Sequence, residues 1–190
     1  SLIHVWAVRV GGQHVTNDIA RGLTTPVSDA ERLKNLYGSA IPSTSDESEM
    51  IDVPTLGERE SHQPNHMPRS YLVNIVQPRL EEVFELVRNR LDEEGVETSA
   101  GRRVVLTGGG CQIAGMRELA QKVLNKQVRL GRPSRLKGLP DSLSGPAFAT
   151  CEGLLFYSGE HGDEMPDEIF RQVEPGSIWE RVKTWLRENW

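Results

Sequence analysis

The chain has 190 residues and a net charge of −5, with 26% charged and 37% hydrophobic residues. This length accommodates one domain with a substantial core, or two small lobes. Acidic and basic residues are mixed through the body, which argues against the basic face of a nucleic-acid-binding protein. No apolar run approaches the ~20 residues that a membrane-spanning helix needs.

The N-terminal segment predicts a strand, a glycine turn and a helix. Residues 2–10 are strand-like and lead into Gly11 and Gly12, which predict a backbone turn. The following helix is indicated by apolar residues at helical spacing, Val15, Ile19 and Leu23. Because strand-like residues follow Ser1 at once and no Met precedes them, we expect a fragment that lacks its N-terminal portion.

A second helix is predicted after an interruption at residues 25–27. Ser28 and Glu31 have the spacing of a capping box, and Gly38 ends the helical pattern. On this interpretation Glu31 has only a capping role. Residues 49–54 predict a short strand, and residues 55–69 predict a polar loop or a hairpin.

A longer helix follows, with Ser70 as a possible N-cap and Gly95 as its end. Its apolar residues keep a helical spacing, and Pro78 is expected to kink the helix or to restart it. The outer face is rich in charged and polar residues, among them Arg79, Arg88 and Asn89. Such a face is usually solvated, and a docking groove is the alternative.

The strongest local pattern is a strand that ends in three glycines, Gly108, Gly109 and Gly110. A helical pattern begins at about Met116, so this segment predicts the strand, turn and helix from which α/β nucleotide sites are built. The glycine spacing matches neither a Rossmann fingerprint nor a P-loop. Two interpretations remain open: a turn that contacts a nucleotide, or a tight connection.

Further elements complete an α/β pattern. Residues 127–130 predict another strand, and Pro146 begins a helix of small residues that suits close packing. His62 and His66 share an i, i+4 spacing but lie in a Pro-rich loop without Cys partners, so no metal site is expected.

The amino-acid composition changes twice toward the C-terminus. Residues 158–176 carry six acids and one base among glycines and prolines, which predicts an acidic flexible linker. Residues 177–190 predict an amphipathic helix and contain three of the four tryptophans. Its apolar stripe consists of Ile178, Trp179, Val182, Trp185, Leu186 and Trp190. A lipid interface, a partner protein or the body of the chain could cover it, and Trp beside Lys and Arg favours lipid.

These motifs together resemble FtsA, a family of actin-like bacterial division proteins. The resemblance is carried by residues 10–20, residues 30–38, the glycine turn at 108–110, residues 144–147 and the C-terminal amphipathic helix. The motifs cover most of the chain in the expected order. Their combination is specific to the family, although each motif alone is not.

The resemblance implies an α/β fold, the second lobe of an actin-like (ribonuclease H-like) ATPase with a mixed sheet flanked by helices. Residues 1–157 would form this lobe, with subdomain 2B inserted into subdomain 2A at about residues 25–95. An acidic linker at 158–176 would lead to the membrane-targeting helix at 177–190. The N-terminal lobe, with its Asp-containing phosphate hairpin, would be missing.

The resemblance also implies ATP with Mg²⁺ as the cofactor of the full-length protein, whereas a complete site is not expected in this chain alone. Gly11 and Gly12 would approach the ribose and phosphates, and Gly108, Gly109 and Gly110 would pack under the adenosine. Glu31 and Lys34 would meet the ribose and adenine. A lysine stem can cover a base while its ammonium stays hydrated.

The implied role is a scaffold without catalytic residues. It would tether FtsZ filaments to the cytoplasmic face of the inner membrane at the division septum, assemble with itself and recruit later division proteins. The FtsZ C-terminal tail would contact Arg79, Arg88 and Asn89, and the apolar stripe would bind lipid peripherally.

Two other function classes are compatible with parts of the sequence. The first is an ATP-dependent enzyme of the sugar-kinase or chaperone type with the same glycine turn, which would have no need of a Trp-rich terminal helix. The second is a soluble peptide-binding module whose terminal helix docks onto a protein.

Overall fold

The computed structural model describes residues 4–56, 65–95, 101–133 and 140–160. The chain divides into two compact units, Ser1–Thr150 and Cys151–Trp190. The described part of the second unit is helical. Most of the predicted linker and the whole predicted C-terminal helix lie outside the described residues.

The first two helices pack against each other: helix α1 spans Gly12–Gly22 and helix α2 spans Val27–Tyr37. The predicted apolar face of α1 is confirmed, because Val15 and Ile19 are fully buried. Pro26 occupies the N-cap of α2, where its fixed φ suits the start of a helix and its missing N–H costs nothing. The helix therefore begins at Val27, one residue before the predicted cap.

Strands β1 (Met50–Val53) and β2 (Asn65–Pro68) form an antiparallel pair, so the hairpin alternative is confirmed. Ile51 and Val53 alternate with exposed residues and are almost fully buried. This period of two turns one face of the pair toward the core.

Helix α3 spans Arg69–Glu93 without interruption and includes Pro78, so a restart at that proline is wrong. Its start at Arg69 follows Pro68, and Ser70 lies inside the helix instead of capping it. The helix packs against both α1 and α4. Contacts on both sides of the proline offset the backbone hydrogen bond that Pro78 cannot donate.

The glycine-turn segment is a parallel βαβ unit. Strand β3 (Arg103–Leu106) leads through a short 3-10 turn at Gly109–Gln112 into helix α4 (Met116–Leu124) and strand β4 (Gln127–Leu130). Val104 pairs with Val128 in the register of the two strands. The predicted strand, turn and helix are confirmed.

Two details differ from the expected sheet. The described strands form two separate two-stranded sheets, one antiparallel and one parallel, and not a single mixed sheet. Residues 4–10, predicted as a strand, form no strand in the described structure, although Trp6, Val8 and Val10 alternate with more exposed neighbours. An extended segment counts as a strand only when another strand satisfies its backbone groups, and none of the described strands pairs with it.

Most buried apolar side chains in the described part of the first unit belong to one core. Residues of α1, α2, α3 and α4 and of strands β1 and β4 share a single cluster, which runs from Val15 to Val128 in sequence. The proposed division into subdomains 2A and 2B stays a prediction.

After a 3-10 turn at Pro146–Phe148, helix α5 spans Ala149–Glu160. It thus extends three residues into the stretch predicted as linker. Among the helices that the structure describes, none has the length and apolarity needed to cross a bilayer.

Candidate functional site

A cleft of about 640 Å³ lies between the α1–α2 pair and the glycine turn. Its lining includes five of the residues that the resemblance singled out, Gly12, Glu31, Lys34, Gly109 and Gly110. Gly11 and Gly108 each stand one residue before a lining glycine. Segments that are about 75 to 100 positions apart in sequence therefore meet at one site.

The α1–α2 wall of the cleft is built around the ammonium of Lys34, whose residue is only 8% exposed. Its Nζ donates to Glu31 Oε2 at 2.5 Å, to Thr16 Oγ1 at 2.9 Å and to the Gly12 carbonyl at 3.4 Å. These three acceptors match the three N–H donors of an ammonium. The expectation that the lysine head stays hydrated is therefore wrong, because the chain itself satisfies it.

Glu31 belongs to the same network, and the capping role predicted for it is wrong. Its Oε2 accepts from Lys34 and, at 2.5 Å, from the Thr16 hydroxyl, while its Oε1 accepts from Asn35 Nδ2 at 3.2 Å. Because Pro26 is the N-cap of α2, the N3 position of a capping box falls on Asp29 and not on Glu31, and the proline has no N–H for a capping carboxylate to accept.

The surroundings of Glu31 shift its pKa. Burial alone would raise the pKa of this carboxyl, but hydrogen bonds from Lys34 and Thr16, the charge of Lys34 and a hydrogen bond from Asn35 together hold it below its ordinary value. The carboxyl is therefore anionic at neutral pH and forms an ion pair with the buried lysine.

The opposite wall consists of backbone. Gly108 has φ +93° and ψ 166°, a conformation that is accessible essentially to glycine, and its N–H donates to the Pro146 carbonyl at 3.0 Å. A Cβ at Gly110 would meet no atom within 4 Å, and the same holds for Gly11. The glycine turn is thus a tight connection at Gly108 and leaves space beside Gly110, whereas its contact with a nucleotide stays a prediction.

Several lining residues were not predicted. Asn35 directly follows Lys34, and Gln112 lies two residues after Gly110, so proximity in sequence could have indicated both. Arg69 gave no such signal. Its Nε donates to the Tyr37 carbonyl at 2.8 Å, and its Nη1 donates to buried Asp46 at 2.9 Å. These contacts depend on tertiary folding.

The residues predicted to bind a partner lie on α3, apart from the cleft lining. Arg79 forms ion pairs with Asp18 on α1 and with Glu82, and the bond to Asp18 raises the pKa of its guanidinium. Arg88 Nη1 donates to the Val123 carbonyl at 3.3 Å, and Asn89 is exposed. Their role in binding a partner stays a prediction.

The described residues contain no group of three or more His, Cys, Asp or Glu side chains placed to hold a metal ion. His66 Nδ1 lies 2.6 Å from Asp52 on the β1–β2 pair. His62 lies outside the described residues.

Two solved structures resemble this one in fold. MreB5 of Spiroplasma citri bound to ADP superposes with a TM-score of 0.57 at 16% identity, over 89% of this chain and 48% of that chain. The same protein bound to AMPPNP also gives 0.57 at 16% identity, over 83% and 46%. The likeness confirms the expected α/β actin-like fold.

Sequence relatives point to one family. The chain is 47% identical over 193 residues to the cell division protein FtsA of Agrobacterium fabrum (strain C58), covering 99% of this chain and 43% of the relative. Identity to the FtsA proteins of Rhizobium meliloti (strain 1021) and Escherichia coli (strain K12) is 43% and 34%, over 99% and 100% of this chain and 43% and 46% of theirs. The chain thus spans less than half the length of these curated relatives.

The family model described as "Cell division protein FtsA" matches residues 1–153, which include every cleft residue discussed above. The chain belongs to the FtsA family.

Proposed function

We propose that the chain is the nucleotide-binding second lobe of a bacterial cell-division scaffold. One observation carries the nucleotide part of this proposal: the cleft gathers Gly12, Glu31, Lys34, Gly109 and Gly110 from segments far apart in the sequence. The two MreB5 structures of similar fold contain ADP and AMPPNP, which supports a nucleotide as the ligand class.

The residues of the cleft fit ATP. Open space beside Gly11 and Gly110 allows a ligand to approach the backbone, which a side chain would block. The first turn of α1 begins at Gly12, where N–H groups without helical partners favour phosphate. Glu31 offers a carboxylate to ribose hydroxyls, and Lys34 contributes its stem to the wall. ATP would supply the link between two lobes, with Mg²⁺ carried on its phosphates.

The proposed cellular role is the tethering of FtsZ filaments to the cytoplasmic face of the inner membrane at the division site. FtsZ would dock through its C-terminal tail near Arg79, Arg88 and Asn89, and other division proteins would join later. ATP-dependent self-assembly would array many copies, so that weak membrane contacts add up through high effective concentration. In this role nucleotide turnover is secondary, and no catalytic residue is assigned.

The nucleotide part can be tested with a matched pair of glycine substitutions in the full-length protein. Gly110→Val places a side chain in the cleft, and Gly153→Val adds the same side chain on α5; a Cβ at either position meets nothing within 4 Å. Fluorescent ATP binding should be lost in the first variant and kept in the second. Equal binding by both variants, with circular dichroism unchanged, would show that ATP does not occupy this cleft.

The membrane part requires a separate test, because residues 177–190 lie outside the described structure. At about 100° per residue on a helical projection, Trp185 falls within the apolar stripe and Thr184 falls on the opposite face. In liposome flotation, Trp185→Glu should abolish binding, whereas Thr184→Glu should retain it. If both variants float like the parent protein, the helix is not the anchor.

A further inference from the structure

Thr16 lies behind the cleft and contacts three of the residues that line it. Its Oγ1 lies 3.1 Å from the Gly12 carbonyl, accepts from Lys34 Nζ at 2.9 Å and donates to Glu31 Oε2 at 2.5 Å. Thr16 is fully buried on α1, so its own position is fixed by the helix and the core. It therefore connects the start of α1 to the acidic and basic side chains of α2.

The single hydroxyl proton of Thr16 has two acceptors within reach, and the carboxylate is the closer and the charged one. A charge-assisted O–H···O⁻ bond of this length is stronger than a bond to a neutral carbonyl. The proton is thus assigned to Glu31 Oε2. The lone pairs of Thr16 remain available to Lys34, so the same hydroxyl donates to the carboxylate and accepts from the ammonium.

This arrangement gives the two oxygens of Glu31 different surroundings. Oε2 accepts from Thr16 and Lys34 inside the wall, whereas among the described residues Oε1 accepts from Asn35 alone, itself a lining residue of the cleft. The Glu31 side chain is 45% exposed. Without an internal restraint, so exposed a side chain would sample several rotamers and would present no fixed acceptor.

We propose that Thr16 is a positioning residue for this cleft. Its hydroxyl locks Oε2 of Glu31 in the wall, which leaves Oε1 as a fixed acceptor for the vicinal hydroxyls of a ribose. Thr16 thereby sets the preference of the site for ribonucleotides over deoxyribonucleotides without touching the ligand. This inference rests on the proposed nucleotide-binding function and extends it to a residue outside the lining.

The test compares Thr16→Val, which keeps the shape and removes the hydroxyl, with Thr16→Ser, which keeps the hydroxyl. The affinities of the full-length protein for ATP and for 2′-deoxy-ATP are measured by isothermal titration calorimetry, and folding is checked by thermal melting. Thr16→Val should lower the ATP to 2′-deoxy-ATP preference about fivefold, the size expected for one net hydrogen bond. Thr16→Ser should restore the preference.

The outcomes separate this inference from the function on which it rests. If the parent protein binds neither nucleotide, the proposed function fails and the inference falls with it. If the parent binds ATP but shows no preference, or if Thr16→Val keeps the full preference, the positioning role is overturned while nucleotide binding stands. A loss of affinity that is equal for both nucleotides would also contradict the inference, since it would indicate a merely structural role.

Discussion

The two walls of the cleft are built in opposite ways. The α1–α2 wall is made of side chains, with Lys34, Thr16 and Glu31 bonded to one another across two helices. The glycine-turn wall is made of backbone, and Gly108 is held through its own N–H and its positive φ. The first wall therefore depends on the polar groups of its side chains, and the second depends on the absence of side chains from its glycines.

This difference determines how each wall responds to substitution. A changed side chain in the first wall leaves a buried donor or acceptor without its partner, which is costly. In the second wall an added side chain matters only where the conformation forbids it or where a ligand needs the space. The following predictions sharpen this contrast, from the largest expected effect to the smallest.

The largest effect is expected in the core beneath the first wall. Ile19→Ala on α1 removes a fully buried side chain and should lower the free energy of unfolding by about 2–5 kcal/mol in urea titrations. Val27→Ala, at a residue that is 52% exposed, serves as the control and should cost less than about 0.5 kcal/mol. Similar costs for the two variants would mean that α1 does not anchor the wall.

An intermediate effect is expected in the second wall. Gly108→Ala forces a side chain into a glycine-only conformation and should cost about 1–3 kcal/mol of stability. Gly110→Ala is the control, since its Cβ would meet nothing within 4 Å, and should leave the unfolding midpoint nearly unchanged. If the two alanines are equally harmless, the turn is not held in the conformation described here.

The smallest effect is a pH dependence of the first wall. Because the pKa of Glu31 is lowered on folding, its stabilising contribution is present above its ordinary value of 4.5 and is lost as the pH falls through the folded value. The stability difference between the parent protein and Glu31→Gln should therefore shrink on acidification, as followed by urea titrations from pH 7 to pH 3.

A second background checks the cause of this pH dependence. In a Lys34→Met protein the same comparison should give a weaker pH dependence, because the charge and hydrogen bond of Lys34 are gone while burial still opposes the carboxylate. An unchanged profile in that background would assign the effect to a group other than the Glu31–Lys34 pair.

The same contrast explains what the sequence could predict. The glycine-turn wall was predictable because strand, glycines and helix are local patterns, and β3, Gly108 and the start of α4 at Met116 all agree with them. Helices α2 and α3 were predictable to within a residue or two, whereas α5 extends three residues into the predicted linker. The family resemblance added the actin-like fold and five of the residues that line the cleft.

The first wall was only half predictable, because its bonds join residues that no local pattern relates. Thr16 was not predicted because the helical pattern of α1 was identified from its apolar residues alone. It contacts Glu31, fifteen positions later, only once α1 and α2 pack together. The capping spacing of Ser28 and Glu31 was a local signal that tertiary structure overrode. Strand pairing of residues 4–10 also depends on a partner that local sequence does not specify.

Where the two walls of the cleft approach each other, they are joined by backbone hydrogen bonding. Ser39 and Ala114 form a parallel bridge, and the Ala40 N–H donates to the Ala114 carbonyl at 2.8 Å. Gly38 and Ile113, their immediate neighbours, both line the cleft. At this point backbone hydrogen bonding therefore holds the two walls at a fixed spacing. Side-chain substitutions elsewhere in the cleft would alter its chemistry while leaving this backbone link in place.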